Sequence, residues 1–236
     1  MPERADPPSS RVFVTQLLDS LRAVPLPPQD AADSTRTITA SNTLTRAPES
    51  VRKLLLALHV LFPNEVLPAL DLLDRRLVTR LRVQRCPPNL SDDAEHTIYY
   101  VRSAQTRSSR FTTTHETQTS YQVRLEAWNC SCPAFAFSAF PPISTSKTST
   151  IPATISVPDT LPTSPSSTQE WSFGGLSLDT SMGTGDASTT SPLPPVCKHL
   201  LACVLVDRCA PLFGAFVEER VVDVEEACGW AAGWGD

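Results

Sequence analysis

The chain has 236 residues, 22 of them proline, with 41% hydrophobic residues and a formal charge of -5 at pH 7. That acidic balance excludes a protein that coats nucleic acid by bulk electrostatics, and no run of about 18 apolar residues is present to cross a bilayer as a helix. The amino terminus, MPERADPPSS, has neither the basic start nor the apolar run of a secretory signal, so a soluble intracellular protein is expected.

Residues 11–24, RVFVTQLLDSLRAV, place Val14, Leu17, Leu18 and Leu21 on one helical face, and Pro25, Pro27 and Pro28 stop the run. A polar linker, DAADSTRTITASNTLTRAP, follows, so residues 1–47 read as an extension carrying one short amphipathic helix. From Glu49 the apolar periodicity is the strongest in the chain. Val51, Leu54, Leu55, Leu58 and Leu61 form one stripe ended by Pro63, and Asn64 is the candidate N-cap of a second helix through Leu67, Leu70 and Leu73. Pro68 is tolerated there if it falls in the first turn, where few backbone donors have partners to lose.

After Arg76 the period changes to two. Leu77, Thr79, Leu81 and Val83 alternate with Val78, Arg80, Arg82 and Gln84, and HTIYYVRSA and SYQVRLEAW add two further β candidates. The last of these runs into Cys130. From 141 to 195 about three residues in five are Ser, Thr or Pro, a composition with little to bury, and the block is expected to be a disordered insertion. Trimming residues 145–190 is therefore expected to leave whatever metal or partner the rest of the chain binds in place. Beyond it, VCKHLLACVLVDRCAPLFGAFVEERV recovers helical spacing, and residues 218–236 read as an acidic, frayed tail.

The seven cysteines are odd in number and scattered, unlike the dense even sets of secreted disulfide scaffolds, so clustered thiols point to metal. Cys130-Ser131-Cys132 stands before the low-complexity block and Cys197-Lys198-His199 after it, with residues 133–196 between them. Zinc takes four thiolate or imidazole ligands tetrahedrally. The C-x-C pair on a β-turn can offer two thiolates, and Cys197 at the entry of a helix with His199 in its first turn can close the tetrahedron. Four protein ligands leave no open position, which makes this a structural rather than a catalytic zinc site. The spacer is tolerable because closing a loop costs only about 0.6 kcal/mol per doubling of its length, whereas a structural zinc contributes on the order of 10 kcal/mol.

The C-x-C and C-x-H pairs form the pattern of SWIM-type zinc fingers. CSCPAFAFS at 130–138, CKHLLA at 197–202 and LFPNEVLPALDLLDRR at 61–76 together resemble the SWIM-domain subunit of the Shu complex, a family that supports homologous recombination. The resemblance covers about residues 48–140 and 196–210, within a finger domain expected over 48–140 and 196–217, and Ala202 matches the alanine that the family's extended motif carries three positions after the histidine. It implies zinc on Cys130, Cys132, Cys197 and His199, RecA-like recombinase paralogues as partners, a shared contact with single-stranded DNA, a nuclear location and a role in recombinational DNA repair. The spacer is longer than the family's usual one.

Several alternatives remain open on the residues alone. Cys203, four residues after His199 on the same helical face, can replace one ligand, and C-x-C by itself can be a redox pair. Phe135, Phe137 and Phe140 either pack the site or stack on bases. Arg75, Arg76, Arg80, Arg82, Arg85, Arg102 and Arg124 form either a solvated sheet face or a phosphate-contacting strip, which would suit a stand-alone nucleic-acid-binding zinc finger. No phosphate-binding loop, H-E-x-x-H or nucleophile elbow occurs, so no residue is a candidate for catalysis and a non-enzymatic protein is expected. The expected fold class is α+β: two N-terminal helices, a small antiparallel sheet and a metal-closed ββα element.

Overall fold

In a computed structural model of the protein, residues 9–24, 47–84, 96–103, 119–140, 171–175 and 193–234 are described. The linker after α1, Arg85, Cys86 and most of the Ser/Thr/Pro-rich block lie outside them. Helix α1, Ser10–Arg22, starts where the Ser9 hydroxyl accepts the Val12 N–H at 3.4 Å, and it buries Val14, Leu17, Leu18 and Leu21, the expected stripe. Helix α2, Glu49–Leu61, buries Val51 and Leu58, with Leu54, Leu55 and Leu61 packed partly against the core. Helix α3, Val66–Asp74, begins two residues beyond the Asn64 cap the sequence suggests. The Phe62 carbonyl accepts both the Glu65 and Val66 N–H groups, so backbone rather than an Asn side chain satisfies these donors, and Pro68 falls in the first turn.

Five strands form one sheet in the order β4-β3-β2-β1-β5: β1 Val78–Val83, β2 His96–Arg102, β3 Ser120–Arg124, β4 Asn129–Cys130 and β5 Val217–Val222. The class is α+β, as expected. The sheet is mixed rather than wholly antiparallel, because β5 pairs in parallel with β1, setting Val78 opposite Val217 and Val83 opposite Val222. That strand, and helix α7 (Val224–Ala231) after it, lie in residues expected as an acidic tail. The charges that hid β5 are paired across the ladder: Glu219 meets Arg80 at 2.8 Å and Arg82 at 3.6 Å.

Helix α4 (Pro133–Ala139) follows β4, and α5 (Lys198–Arg208) leads through α6 (Ala210–Phe213) and a 3-10 turn (Gly214–Phe216) into β5. Helix α5 is the centre of the molecule. Every residue from Leu200 to Val206 is fully buried, so it is apolar all round, as a helix enclosed on every side must be. It packs on α1, α3, β3 and β4. The N-terminal extension is therefore no appendage, since α1 shares one continuous core with Val51, Cys130 and Leu200. The sheet's other face carries a smaller cluster of Leu81, Tyr100 and Val222, covered by α7 through Trp230, whose ring centroid is 5.1 Å from that of Tyr100. Among the described residues, no single helix is long and apolar enough to cross a membrane.

Strand register divides the arginines that the sequence groups into one strip. Arg80 stands opposite Tyr99, whereas Arg102 alternates to the other face with Tyr100. Arg80 is enclosed: its Nε donates to the Tyr99 hydroxyl at 3.0 Å and its Nη1 to Glu219 at 2.8 Å. The Tyr99 hydroxyl donates in turn to Asp207 of α5 at 2.9 Å, tying sheet to central helix. Burial first, then the Asp207 charge, pushes the Tyr99 phenol well above its ordinary value of 10.0. The folded state thus keeps a proton that the unfolded chain gives up from about pH 10, so this contribution is complete below about pH 10 and is lost as pH rises above it. Tyr99→Phe is expected to cost about 1–2 kcal/mol near neutrality. Urea midpoints taken at about pH 8 and about pH 11 will fall less in Tyr99→Phe than in the parent chain.

Candidate metal centre

The two ligand pairs predicted from the sequence arrive from opposite directions. Past β4 the chain stays zipped to β3, since Ser131 donates its N–H to the Gln122 carbonyl at 3.0 Å and its hydroxyl accepts the Gln122 N–H at 2.9 Å. Cys130 therefore ends a strand and Cys132 begins a helix, in place of the single β-turn expected for them. Cys132 is the N-cap of α4 and its sulfur accepts the Phe135 N–H at 3.3 Å. Cys197 is the N-cap of α5, its sulfur accepting the Leu200 N–H at 3.4 Å, and His199 lies in the first turn of that helix. The His199 Nδ1 is 4.0 Å from the Cys130 sulfur.

All four ligand atoms of Cys130, Cys132, Cys197 and His199 lie within 4.8 Å of one another, and all four residues are buried. This is a Cys3His set able to hold one metal ion. Its electrostatics suit a cation. Hydrogen bonds from Cys130 and then Cys197 hold the Cys132 thiol far below its ordinary value. The Cys130 thiol is pushed far up, first by its bond with Cys132 and then by that with Cys197. For Cys197 the bond with Cys130 lowers the value, but Cys132 and burial outweigh it and raise the thiol to about 11. Burying three thiols together disfavours ionising all of them at once, and a divalent ion would supply the positive charge that lets them ionise.

Two residues that build this site are not among the predicted ligands. Tyr121 of β3 places its ring centroid 4.6 Å from that of His199, fixing the plane of the imidazole. Trp128, at positive φ (44°) in the β3–β4 turn, donates its indole N–H to the Pro195 carbonyl at 2.9 Å. That bond joins the residue two before Cys130 to the residue two before Cys197, so it clasps the two halves of the site. A buried indole needs an acceptor, which is the signal Trp128 carried; the identity of the acceptor, across the low-complexity block, was not readable.

The other candidates fall away from the centre. Cys203 is fully buried in α5 and outside the set of four; burial pushes its thiol well up. Cys209 is a core thiol donating to the Leu18 carbonyl at 3.7 Å, and Cys228 is exposed. Cys130 and Cys132 are buried, where a redox pair would need access to its substrate. Of the three phenylalanines expected to pack the site, only Phe135 does. Phe137 and Phe140 are 76% and 80% exposed, because α4 is a single short helix with one face against the core. Compared with protein-family models and with curated proteins, the chain matches none.

Proposed function

We propose that the Cys3His set binds one structural Zn2+ and that the chain is a non-catalytic SWIM-type zinc-finger subunit of a Shu-type complex. In this reading it joins RecA-like recombinase paralogues in the nucleus and promotes recombinase filaments on single-stranded DNA during homologous recombination. The observation that carries it is the convergence of C-x-C and C-x-H, 64 intervening residues apart in sequence (133–196), into one buried cluster within 4.8 Å. A tetrahedral zinc with sulfur at about 2.3 Å sets neighbouring ligand atoms about 3.8 Å apart, and the Cys130–His199 spacing of 4.0 Å suits that. When bound, zinc contributes cohesion alone, since four protein ligands leave no place for a reacting water.

Two further features support an assembly subunit over a stand-alone DNA reader. Arg80 and Arg82 are committed to Glu219, so the strip of arginines holds less free charge than the sequence implies. Large apolar side chains stay exposed on α2 and α3, with Leu56 at 63% and Val60 at 79% on α2 and Leu67 at 60% on α3. The test is coexpression of the tagged chain with candidate recombinase paralogues, followed by elemental analysis and mass spectrometry of the captured material. One zinc per chain and a recombinase paralogue in stoichiometric amount are expected. Tight, steeply salt-dependent binding of DNA by the isolated chain would favour the stand-alone finger instead.

A further inference from the structure

Within residues 141–195 the only aromatic side chains are Trp171 and Phe173, and the short stretch that holds them sits on the folded body in the manner of a bound peptide. Phe173 is fully buried, its ring centroid 4.7 Å from that of Trp128 in edge contact and 5.6 Å from that of Phe62. Its main chain is gripped from α1. Arg11 donates Nε to the Phe173 carbonyl at 2.8 Å and Nη2 to the Gly175 carbonyl at 2.5 Å, while the Thr15 hydroxyl accepts the Phe173 N–H at 3.0 Å. The Arg208 guanidinium lies 4.3 Å from the centroid of the Trp171 ring. The stretch belongs to no helix or strand, and within itself it makes one backbone hydrogen bond, from the Gly175 N–H to the Ser172 carbonyl.

Both glycines are demanded by the seat. Gly174 has φ +100°, and a Cβ there would meet Pro194 at 2.8 Å; Gly175 has φ +69°, with Trp128 3.2 Å from the same position. An aromatic anchor in a pocket, carbonyls held by a guanidinium fork and two obligatory glycines define a linear recognition sequence, aromatic-x-Phe-Gly-Gly.

We propose that the groove formed by Arg11, Thr15, Phe62, Trp128 and Arg208 is a peptide-docking site, filled in this structure by the chain's own Trp171–Gly175, and that a partner protein presenting an aromatic-x-Phe-Gly-Gly segment in the same turn conformation takes the same seat. The inference is independent of which metal the Cys3His set holds. The internal segment is tethered through residues 141–170 and 176–192; tethers of that order give an effective concentration on the order of 1 mM. A partner segment of equal quality must exceed that concentration or arrive while the internal one is displaced, so the tethered copy sets a threshold for capture.

The experiment uses the full chain with a specific protease site placed on each side of the segment, folded first and then cut. A fluorescent peptide of residues 168–178, TQEWSFGGLSL, is titrated into cut and uncut protein, with near-UV circular dichroism reporting the fold. The cut protein is expected to exchange its fragment and bind the peptide roughly 100-fold more tightly than the uncut chain does. The Phe173→Ala peptide, and the parent peptide on cut Arg11→Met protein, should bind at least about 10-fold more weakly. A cut protein that unfolds on losing its fragment, or that stays folded but takes up no peptide, overturns the proposal, as does equal binding of the Phe173→Ala peptide. A dimer of the uncut chain that forms with rising concentration and requires Phe173 would give the seat to a second copy and overturn the assignment to a partner protein.

Discussion

Replacing His199 with alanine will abolish metal binding, and with it the tertiary structure around the site. The parent chain should carry one metal equivalent by elemental analysis, whereas His199→Ala and Cys132→Ser should carry none. The expected loss is large because ligation and folding are one equilibrium in such sites, worth on the order of 10 kcal/mol for structural zinc, against total domain stabilities of about 5–15 kcal/mol. The four ligands belong to two pieces of chain, β4–α4 and the start of α5. Without the ion, nothing ties the hairpin end to the helix start through the three buried thiols and the imidazole. Near-UV circular dichroism with and without a chelator reads the outcome, and His199→Cys, which preserves a four-ligand set, should recover metal. Capture of the proposed recombinase partner should disappear with the metal. A metal-free variant that still captures its partner would separate the two and defeat the proposed role.

Phe173→Ala will destabilise the chain by about 3 kcal/mol, the range of a buried phenylalanine truncated to alanine. The ring that is lost fills the space between Phe62 and Trp128, and Trp128 is the clasp across the two halves of the metal centre. Trimming residues 145–190 is expected from the sequence to spare metal and partner; because Phe173 lies among them, it should nonetheless cost stability. Removing all of them should cost as much as the point substitution. Removing only residues 145–168 and 178–190, so that Trp171–Gly175 is kept, should change the urea midpoint little, because loop length enters stability only logarithmically. Urea unfolding of the three variants side by side checks the claim, and equal stability of parent and Phe173→Ala would refute it.

How much of this could be read beforehand differs from element to element for physical reasons. The buried face of helix α1 was legible to the residue, because one amphipathic stripe is a local property of the chain: Val14, Leu17, Leu18 and Leu21 go in, within bounds of Ser10–Arg22 against the expected 11–24. The four candidate ligands were legible because thiols and imidazole at close spacing have few other uses, and the fold brings these four together. Strand β5 was not, since its glutamates look solvated until Arg80 and Arg82 are seen beside them across a parallel ladder. The fate of the phenylalanines was half legible: composition marks Phe135, Phe137 and Phe140 alike as apolar, and only the short helix α4 decides that one goes in and two stay out. Trp171–Gly175 failed for the opposite reason. Averaged over its Ser/Thr/Pro surroundings it vanishes, although its two aromatic rings and paired glycines were present to be noticed.

The parallel pairing of β1 with β5 also sets an order of events during synthesis. Arg80 and Glu219, which meet across that ladder, are 139 positions apart, and contacts so distant in sequence are slow to form. The ribosome must have released everything through Val222 before the sheet gains its second edge. Until then β1 travels with an unpaired flank, an invitation to mispairing that its two arginines, mutually repulsive when chains align, help to discourage.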